Sequence, residues 1–298
     1  MGRVFVIGSI NQDYVLVVPR RPGAGETVTA ATLAVRGGGK GANQAAAAAA
    51  GGAGVRLLAR VGDDAAAVTQ RHDLTMRGVD LSLVAETAGV ATGSAFITVT
   101  PDGENAVTVA PGANERLRPG DVAAVAGAIA ESAVLVAQLE TPLDAVAEAV
   151  ALCGPDTHVL LNAAPYRALP PALLGKVDTL VVNEHEAALL AGAPVTGVDG
   201  ARDAAAAIVG LGPRSVVVTL GAGGAVVATG GSCSHVRAPV VAVVDSTGAG
   251  DVLVGTLAAL LADGRPLDDA VATAVEKASA SVTWAGARPA ITDVTSQR

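Results

Sequence analysis

Aromatic side chains are almost missing from this chain: two Phe, two Tyr and one Trp in 298 residues, 2% in all. Basic residues are scarce too, with 20 Lys and Arg against 28 Asp and Glu and a net charge of −8. Nucleic acids are gripped by basic faces and stacking rings, so a chain poor in both is not expected to bind them. Cys153 and Cys233 lie far apart with no Cys-x-x-Cys pair, which speaks against a disulfide framework and a zinc site. His72, His158, His185 and His235 show no metal-ligand spacing and read as surface residues. Although 51% of the residues are hydrophobic, the longest apolar runs, Ala45–Val55 and Val252–Ala262, reach only 11 residues each. That is too short to span a bilayer. The opening MGRVFVIGSINQD reads as a first strand and not as a signal peptide. A soluble, cytoplasmic protein without a membrane partner is expected.

What is present is an alternation of short β-rich runs and alanine-rich helical segments. Strands are expected at Val4–Ile7, Val134–Ala137, Val159–Leu161, Leu180–Val182, Ser215–Thr219 and Val240–Val244. Helices are expected at Asn43–Ala50, Asp144–Leu152, Glu184–Ala191, Ala201–Leu211 and Leu267–Thr283. Continuous apolar strands alternating with helices predict a mostly parallel sheet covered on both faces. The alanine run 45–50 signals close helix packing, since alanine is the best helix former. Two segments break the alternation. Residues 13–36 are strand-like around PRRPGAGE, and residues 93–112 are two alternating strands around a Pro-Asp-Gly turn. Ribbons of this kind are marginal alone and must pack on something. Together they predict a small β-sheet lid within a single domain spanning residues 1–298, edge hairpins being the blander reading.

Two loops carry the chemistry. In DSTGAGD, Asp245 to Asp251, small residues sit between an expected strand and a helix, where open α/β sheets bind ligands. Glycines admit a ligand to the backbone, and a helix N-terminus favours an anion. By residues alone, Asp251 is as readily a helix cap as a catalytic group. In RGGGKGANQ, Arg36 to Gln44, a Gly-Lys pair is followed by no Ser or Thr at Walker spacing, so it is not a P-loop. Nor does Gly8-Ser9-Ile10-Asn11 match the dinucleotide fingerprint that would mark an oxidoreductase.

GSINQD (Gly8–Asp13), GGKGANQA (Gly38–Ala45), AQLETP (Ala137–Pro142), VNEHE (Val182–Glu186), TLGAGG (Thr219–Gly224) and DSTGAGD (Asp245–Asp251) occur in the order found in the ribokinase family, the phosphofructokinase-B-type sugar kinases. The resemblance covers essentially the whole chain, both lid segments and GARP (Gly286–Pro289) included. It implies a three-layer α/β sandwich and ATP-dependent phosphorylation of D-ribose at O5. Asp251 is then the base, with Gly248, Ala249 and Gly250 as an anion hole for the transferring phosphoryl. A carboxylate at a helix mouth should stay ionised and be a weak base, tolerable where positioning dominates. The implied sugar site is Asn11, Asp13, Gly39, Lys40, Asn43 and Glu140 with Asp251; the implied ATP site is Asn183, Glu186, Thr219, Gly221, Gly224 and Gly250.

The Asn183 to Glu186 spacing expects both on one helix face, near Mg2+ and the phosphates. With so few aromatics, adenine must lie between aliphatic and glycine surfaces. The resemblance further implies a potassium ion held by Asp245, the Thr247 carbonyl and carbonyls of the Ser281, Trp284 and Gly286 stretch, and a homodimer formed through the lid. The chain departs from the family pattern in three places. Val252-Leu253 stands where Thr-Phe is usual, Val275 replaces a polar adenine neighbour, and Ala290 replaces a serine ligand to potassium, which implies weaker activation. The alternatives are a kinase for another sugar or a nucleoside, and a catalytically silent sugar-binding regulator. The intact Asp251 loop disfavours the last.

Overall fold

The strands of this chain alternate their side chains between two apolar layers, and that alternation builds the architecture. The computed structural model describes residues 2–288. The central sheet runs β14 (Cys233–Val236), β13 (Ala225–Thr229), β12 (Ser215–Thr219), β11 (Thr179–Asn183), β10 (His158–Asn162), β9 (Val134–Ala137), β1 (Arg3–Ile7), β4 (Gly54–Gly62) and β5 (Val79–Asp80), with β6 (Val84–Thr87) paired to β4. Pairing is parallel from β12 through β5, and β13 and β14 add an antiparallel edge. Val4 and Val6 of β1 point to one face, and Phe5 and Ile7 to the other. The first face is covered by α1 (Lys40–Ala50), α2 (Ala65–Met76), α9 (Ala249–Ala262) and α10 (Leu267–Ser281). The second is covered by α3 (Pro119–Ala123), α4 (Ala126–Ala130), α5 (Leu143–Ala151), α6 (Pro171–Leu174), α7 (Glu184–Ala191) and α8 (Gly197–Val209). The three-layer expectation is met.

The alanine run does what its composition predicts. Ala42, Ala45 and Ala48 of α1 are fully buried, and Gly255 of α9 lies so close that a Cβ there would strike the Gln44 carbonyl and Ala47. Small residues on both helices bring their axes together, which places the first turn of α9 beside that of α1. Helix α1 begins at Lys40, three residues before the expected Asn43, because Gly39 supplies the N-cap at φ 87°. Gly51 and Gly52 then split the apolar run 45–55 into the end of α1 and the start of β4.

One expected strand is not a strand. Val240–Val244 takes no sheet position, and Val240 and Val243 are exposed. The hairpin of β13 and β14 already fills that edge, so the β-branched run is left to skirt the sheet, with Val244 N–H donating to the Val282 carbonyl at 2.7 Å. Strand β4, helix α2 and the hairpin itself were not among the expected elements.

The second sheet has the order β3 (Thr32–Gly38), β2 (Asn11–Val17), β7 (Gly93–Val99) and β8 (Asn105–Ala110), with β2 and β7 parallel. These are the two ribbons read at 13–36 and 93–112. Register puts Val35, Tyr14 and Phe96 side by side on one face, and Arg36, Asp13 and Ala95 on the other. The Tyr14 and Phe96 rings stack with centroids 5.2 Å apart. No helix among the described residues is long and apolar enough to cross a membrane.

Candidate active site

Parallel strands end at one edge, and the chain uses that edge throughout. Beyond β1 lie Gly8 to Asn11 and beyond β9 Gln138 and Glu140, while Asn162 ends β10, Asn183 ends β11, and Thr219 ends β12 with Leu220 to Gly224 following. Helix α9 brings Asp251 to the same edge as the third residue of its first turn, where its negative charge suits the helix dipole.

Asp251 is 7% exposed and holds two amide donors. Asn43 Nδ2 donates to Oδ2 at 2.9 Å and Gln44 Nε2 to Oδ1 at 2.9 Å. Gln44 is itself fixed, donating also to Asn162 Oδ1 at 3.0 Å and accepting from Gln138 Nε2 at 2.6 Å. This rigid chain of amides aims the carboxylate, and the sequence reading did not include Gln44, Gln138 or Asn162 in the site. Ser9 and Asn114 were missed as well. Ser9 Oγ donates to Glu140 Oε2 at 2.5 Å, and the Lys40 backbone N–H donates to the same oxygen at 3.0 Å. Asn114 Nδ2 donates to Asn11 Oδ1 at 2.7 Å. The available signal was position: Ser9, Gln44 and Gln138 lie inside quoted motifs and Asn162 at a strand end, while Asn114, in the turn after the second ribbon, carried none.

Asn11, Asp13, Gly39, Lys40, Asn43, Glu140 and Asp251 therefore gather in one cluster. Two of its buried acceptors, Asp13 Oδ1 and Asn43 Oδ1, have no donor among the described residues. Buried acceptors left unpaired are costly, so a donor-rich ligand fits them. Asp13 pKa is pushed up to about 6, chiefly by burial, then by the Glu140 charge, with Arg288 opposing and Asp251 adding. Burial acts to lower the Lys40 pKa, but Asp251, Glu140 and Glu186 outweigh it and raise it, so the ammonium stays charged amid three carboxylates.

Of the residues that the resemblance assigns to ATP, Thr219, Gly221, Gly224 and Gly250 line a cleft of about 290 Å³ together with Ala249 and Val275, whereas Asn183 and Glu186 are not part of its lining. It is aliphatic and glycine-lined, without an aromatic wall. Asn183 and Glu186 do not share a helix face as the spacing suggested. Asn183 ends β11 and caps α7, accepting from the Glu186 N–H at 2.8 Å, while Glu186 Oε2 accepts from the Asn183 N–H at 2.9 Å. The reciprocal cap of the helix fixes both side chains at its mouth. Glu186 is buried, which raises its pKa, with the Asn183 N–H and Lys40 working against that.

The small residues of the loop have different causes. Gly248 caps α9 at φ 78°, and a Cβ there would strike Ala287, so the fold itself requires glycine. Gly250 is exposed, and a Cβ there would meet nothing within 4 Å. Among the described residues nothing asks for its smallness. Ala249 N–H points to the Ser246 carbonyl at 3.3 Å.

Asp245, the carboxylate of the implied potassium site, is held by donors from the protein itself. Asp245 Oδ2 accepts from Arg36 Nη1 at 3.0 Å and from the Gly286 N–H at 2.8 Å, and Oδ1 accepts from the Thr247 N–H at 2.9 Å. The Val282 carbonyl is taken by the Val244 and Asp245 N–H groups. Ser281 Oγ donates to the Ala278 carbonyl at 2.7 Å, and Trp284 Nε1 is buried without a partner. Ala290 lies outside the described residues. His158 is also unlike its expectation, being half-buried with Nε2 2.9 Å from Thr179 Oγ1, and His235 is half-buried as well.

Comparison with known proteins gives the family. Residues 1–293 match the pfkB family carbohydrate kinase model. A ribokinase of Staphylococcus aureus is 37% identical over 97% of this chain and 96% of its own length. A deoxyribokinase of Salmonella typhi is 34% identical over 95% and 93%. The solved structure of Arabidopsis thaliana ribokinase complexed with ribose and ATP superposes with a TM-score of 0.87 at 28% identity, covering 96% of this chain and 94% of that one. With the family model matched along nearly its whole length, a ribokinase-like sandwich, and an acid at the mouth of α9 between a nucleotide-sized cleft and a polar cluster, the chain belongs to the pfkB family of carbohydrate kinases.

Proposed function

We propose that the protein transfers the γ-phosphoryl group of ATP to O5 of D-ribose, giving D-ribose 5-phosphate and ADP. The observation that carries this reading is the first turn of α9. Gly250 lines the nucleotide cleft, and its neighbour Asp251 is hydrogen-bonded into the sugar cluster through Asn43. Asp251 takes the proton from the primary hydroxyl as that oxygen attacks the γ-phosphorus and ADP leaves. The N–H groups of Gly248, Ala249 and Gly250 receive the transferring phosphoryl, helped by an N-terminal turn whose N–H groups lack helical partners. Asn11, Asp13, Gly39, Lys40, Asn43 and Glu140 hold the other hydroxyls, which donate to the free oxygens of Asp13 and Asn43.

Adenine lies in the cleft at Thr219, Gly221, Gly224 and Val275, with the phosphates running toward Asn183, Glu186 and Lys40. Glu186 would hold the hydration shell of the Mg2+ that accompanies ATP, an ion that would supply neutralisation of the phosphate charge. Among the described residues, no group of three or more His, Cys, Asp or Glu is arranged to hold a metal ion by itself. ATP as donor places the reaction in the cytoplasm.

The chain works as one domain in which the four-stranded sheet is the lid, carrying Asn11 and Asp13 on β2. Its face at Leu33, Val35 and Phe96 is exposed and apolar, which supports a homodimer paired through the lids. An ADP-release assay over D-ribose, 2-deoxy-D-ribose, D-fructose and adenosine tests the assignment. D-Ribose should give the highest kcat/KM. A preference for deoxyribose or adenosine would move the substrate, and no sugar-dependent turnover would favour a silent binding protein.

A further inference from the structure

Arg36 is not absorbed by the reaction described above, yet it makes a specific contact with the loop that the reaction needs. It stands on lid strand β3, in register with Asp13 and on the same face. Its Nη1 reaches Asp245 Oδ2 at 3.0 Å, and its side chain passes over Gly286, whose Cβ, if present, would sit 3.1 Å from Nη1. The pair is sheltered, with side-chain exposures of 35% and 24%. Asp245 in turn anchors the Thr247 N–H on one oxygen and the Gly286 N–H on the other. Thr247 immediately precedes Gly248, the cap of α9. A single carboxylate therefore ties the start of the anion loop to the 282–286 turn, and the guanidinium neutralises it.

The contacts around Asp245 are hydrogen-bond donors: the N–H groups of Arg36, Thr247 and Gly286, with the Thr247 side chain beside them. A bound cation needs oxygens, whereas the carboxylate here already accepts from three N–H donors. An alkali ion at Asp245 would also meet Arg36 as a like charge. Among the forces on Asp245, burial raises its pKa, but donors from Thr247, Gly286 and Arg36 outweigh it, so the acid is held in its charged form.

We propose that Arg36 is a built-in cation that replaces an exchangeable monovalent ion behind the anion loop, making it a positioning residue for phosphoryl transfer. This rests on the kinase reading above. Because Arg36 is carried by the lid, the same contact couples lid position to loop geometry. The Arg36 side chain also borders a cleft of about 380 Å³ whose lining includes Gln12, Gln70, Asp73, Gly286 and Arg288.

Kinase rates are compared in potassium and tetramethylammonium salts at fixed ionic strength, for the parent chain, Arg36→Ala and Arg36→Lys. Trp284, the single tryptophan, adjoins the 282–286 turn and reports the site by fluorescence without turnover. The parent should show equal rates in the two salts and no potassium-dependent emission change. Arg36→Ala should lose roughly 10²-fold in kcat, as misplaced reacting groups do, with KM for ATP little changed. Added guanidinium or potassium should restore its rate and move its Trp284 emission, and Arg36→Lys should retain most of the activity. A parent enzyme activated several-fold by potassium, or an Arg36→Ala variant that is as active as the parent or is rescued by neither ion, would overturn the proposal. If the parent does not phosphorylate any sugar, the kinase reading fails instead, and the fluorescence titrations still decide whether Arg36 excludes the ion.

Discussion

Replacing Asp13 by Asn should make the empty protein more stable while weakening its hold on the sugar. The carboxyl is buried, faces Glu140 and Asp251, and has a pKa raised from 3.8 to about 6. A carboxyl with a raised native pKa binds its proton more tightly folded than unfolded, so stability falls as pH climbs from about 4 through about 6. The cost of keeping it ionised follows from the two values: about 3 kcal/mol at pH 8 and about half that at pH 5. Asn copies the shape and charge of the protonated acid and escapes that cost. Calorimetry at pH 8 should show the variant melting on the order of 5 °C higher, at roughly 2 °C per kcal/mol for a chain of this size. The gap should shrink by about half at pH 5. Ribose affinity should fall, since an unpaired buried hydroxyl partner costs about 1–3 kcal/mol. A gap independent of pH, or a variant less stable than the parent at pH 8, would refute the account of Asp13.

Gly250→Ala should fold with an unchanged melting temperature, because a Cβ there meets nothing, yet lose roughly 10²-fold in kcat where the phosphoryl must sit; full activity in that variant would remove the ligand-based reason for this glycine. Asp251→Asn should lose about 10²–10⁴-fold in turnover while calorimetric titration still detects ribose and ATP. Asn43→Ala takes a donor from Asp251 and a free acceptor from the sugar, so the ribose constant should weaken about 10–100-fold with the ATP constant unmoved. Phe96→Glu on the exposed lid face should shift light-scattering mass from dimer to monomer, and an unchanged mass would dismiss that face as the interface.

The two glycine loops were legible in the sequence because backbone approach and helix-mouth chemistry are local. DSTGAGD and GGKGANQ carry their geometry within a few residues, and the structure places both at the carboxyl edge of the sheet. The amide chain was not legible in the same way. Gln44 meets Asp251 and Asn162 across separations of 207 and 118 residues, which no spacing rule reports. Arg36 was read as the flank of a loop, and its partner Asp245 is 209 positions away. Val240–Val244 has strong β propensity, but propensity cannot tell a free sheet edge from one that a hairpin already occupies. Asn183 and Glu186 were paired correctly and given the wrong backbone, since a capping box and a shared helix face begin from similar spacing.

The central claim is that Asp251 confronts the primary hydroxyl of ribose across an anion loop charged with the γ-phosphoryl group. Phosphorus NMR of the product made from D-ribose and Mg-ATP tests it most directly. The account predicts a phosphate ester coupled to the two C5 protons, formed by the parent enzyme and reduced to trace rates by Asp251→Asn. A product phosphorylated at the anomeric oxygen, or undiminished formation of the 5-phosphate by Asp251→Asn, would contradict it.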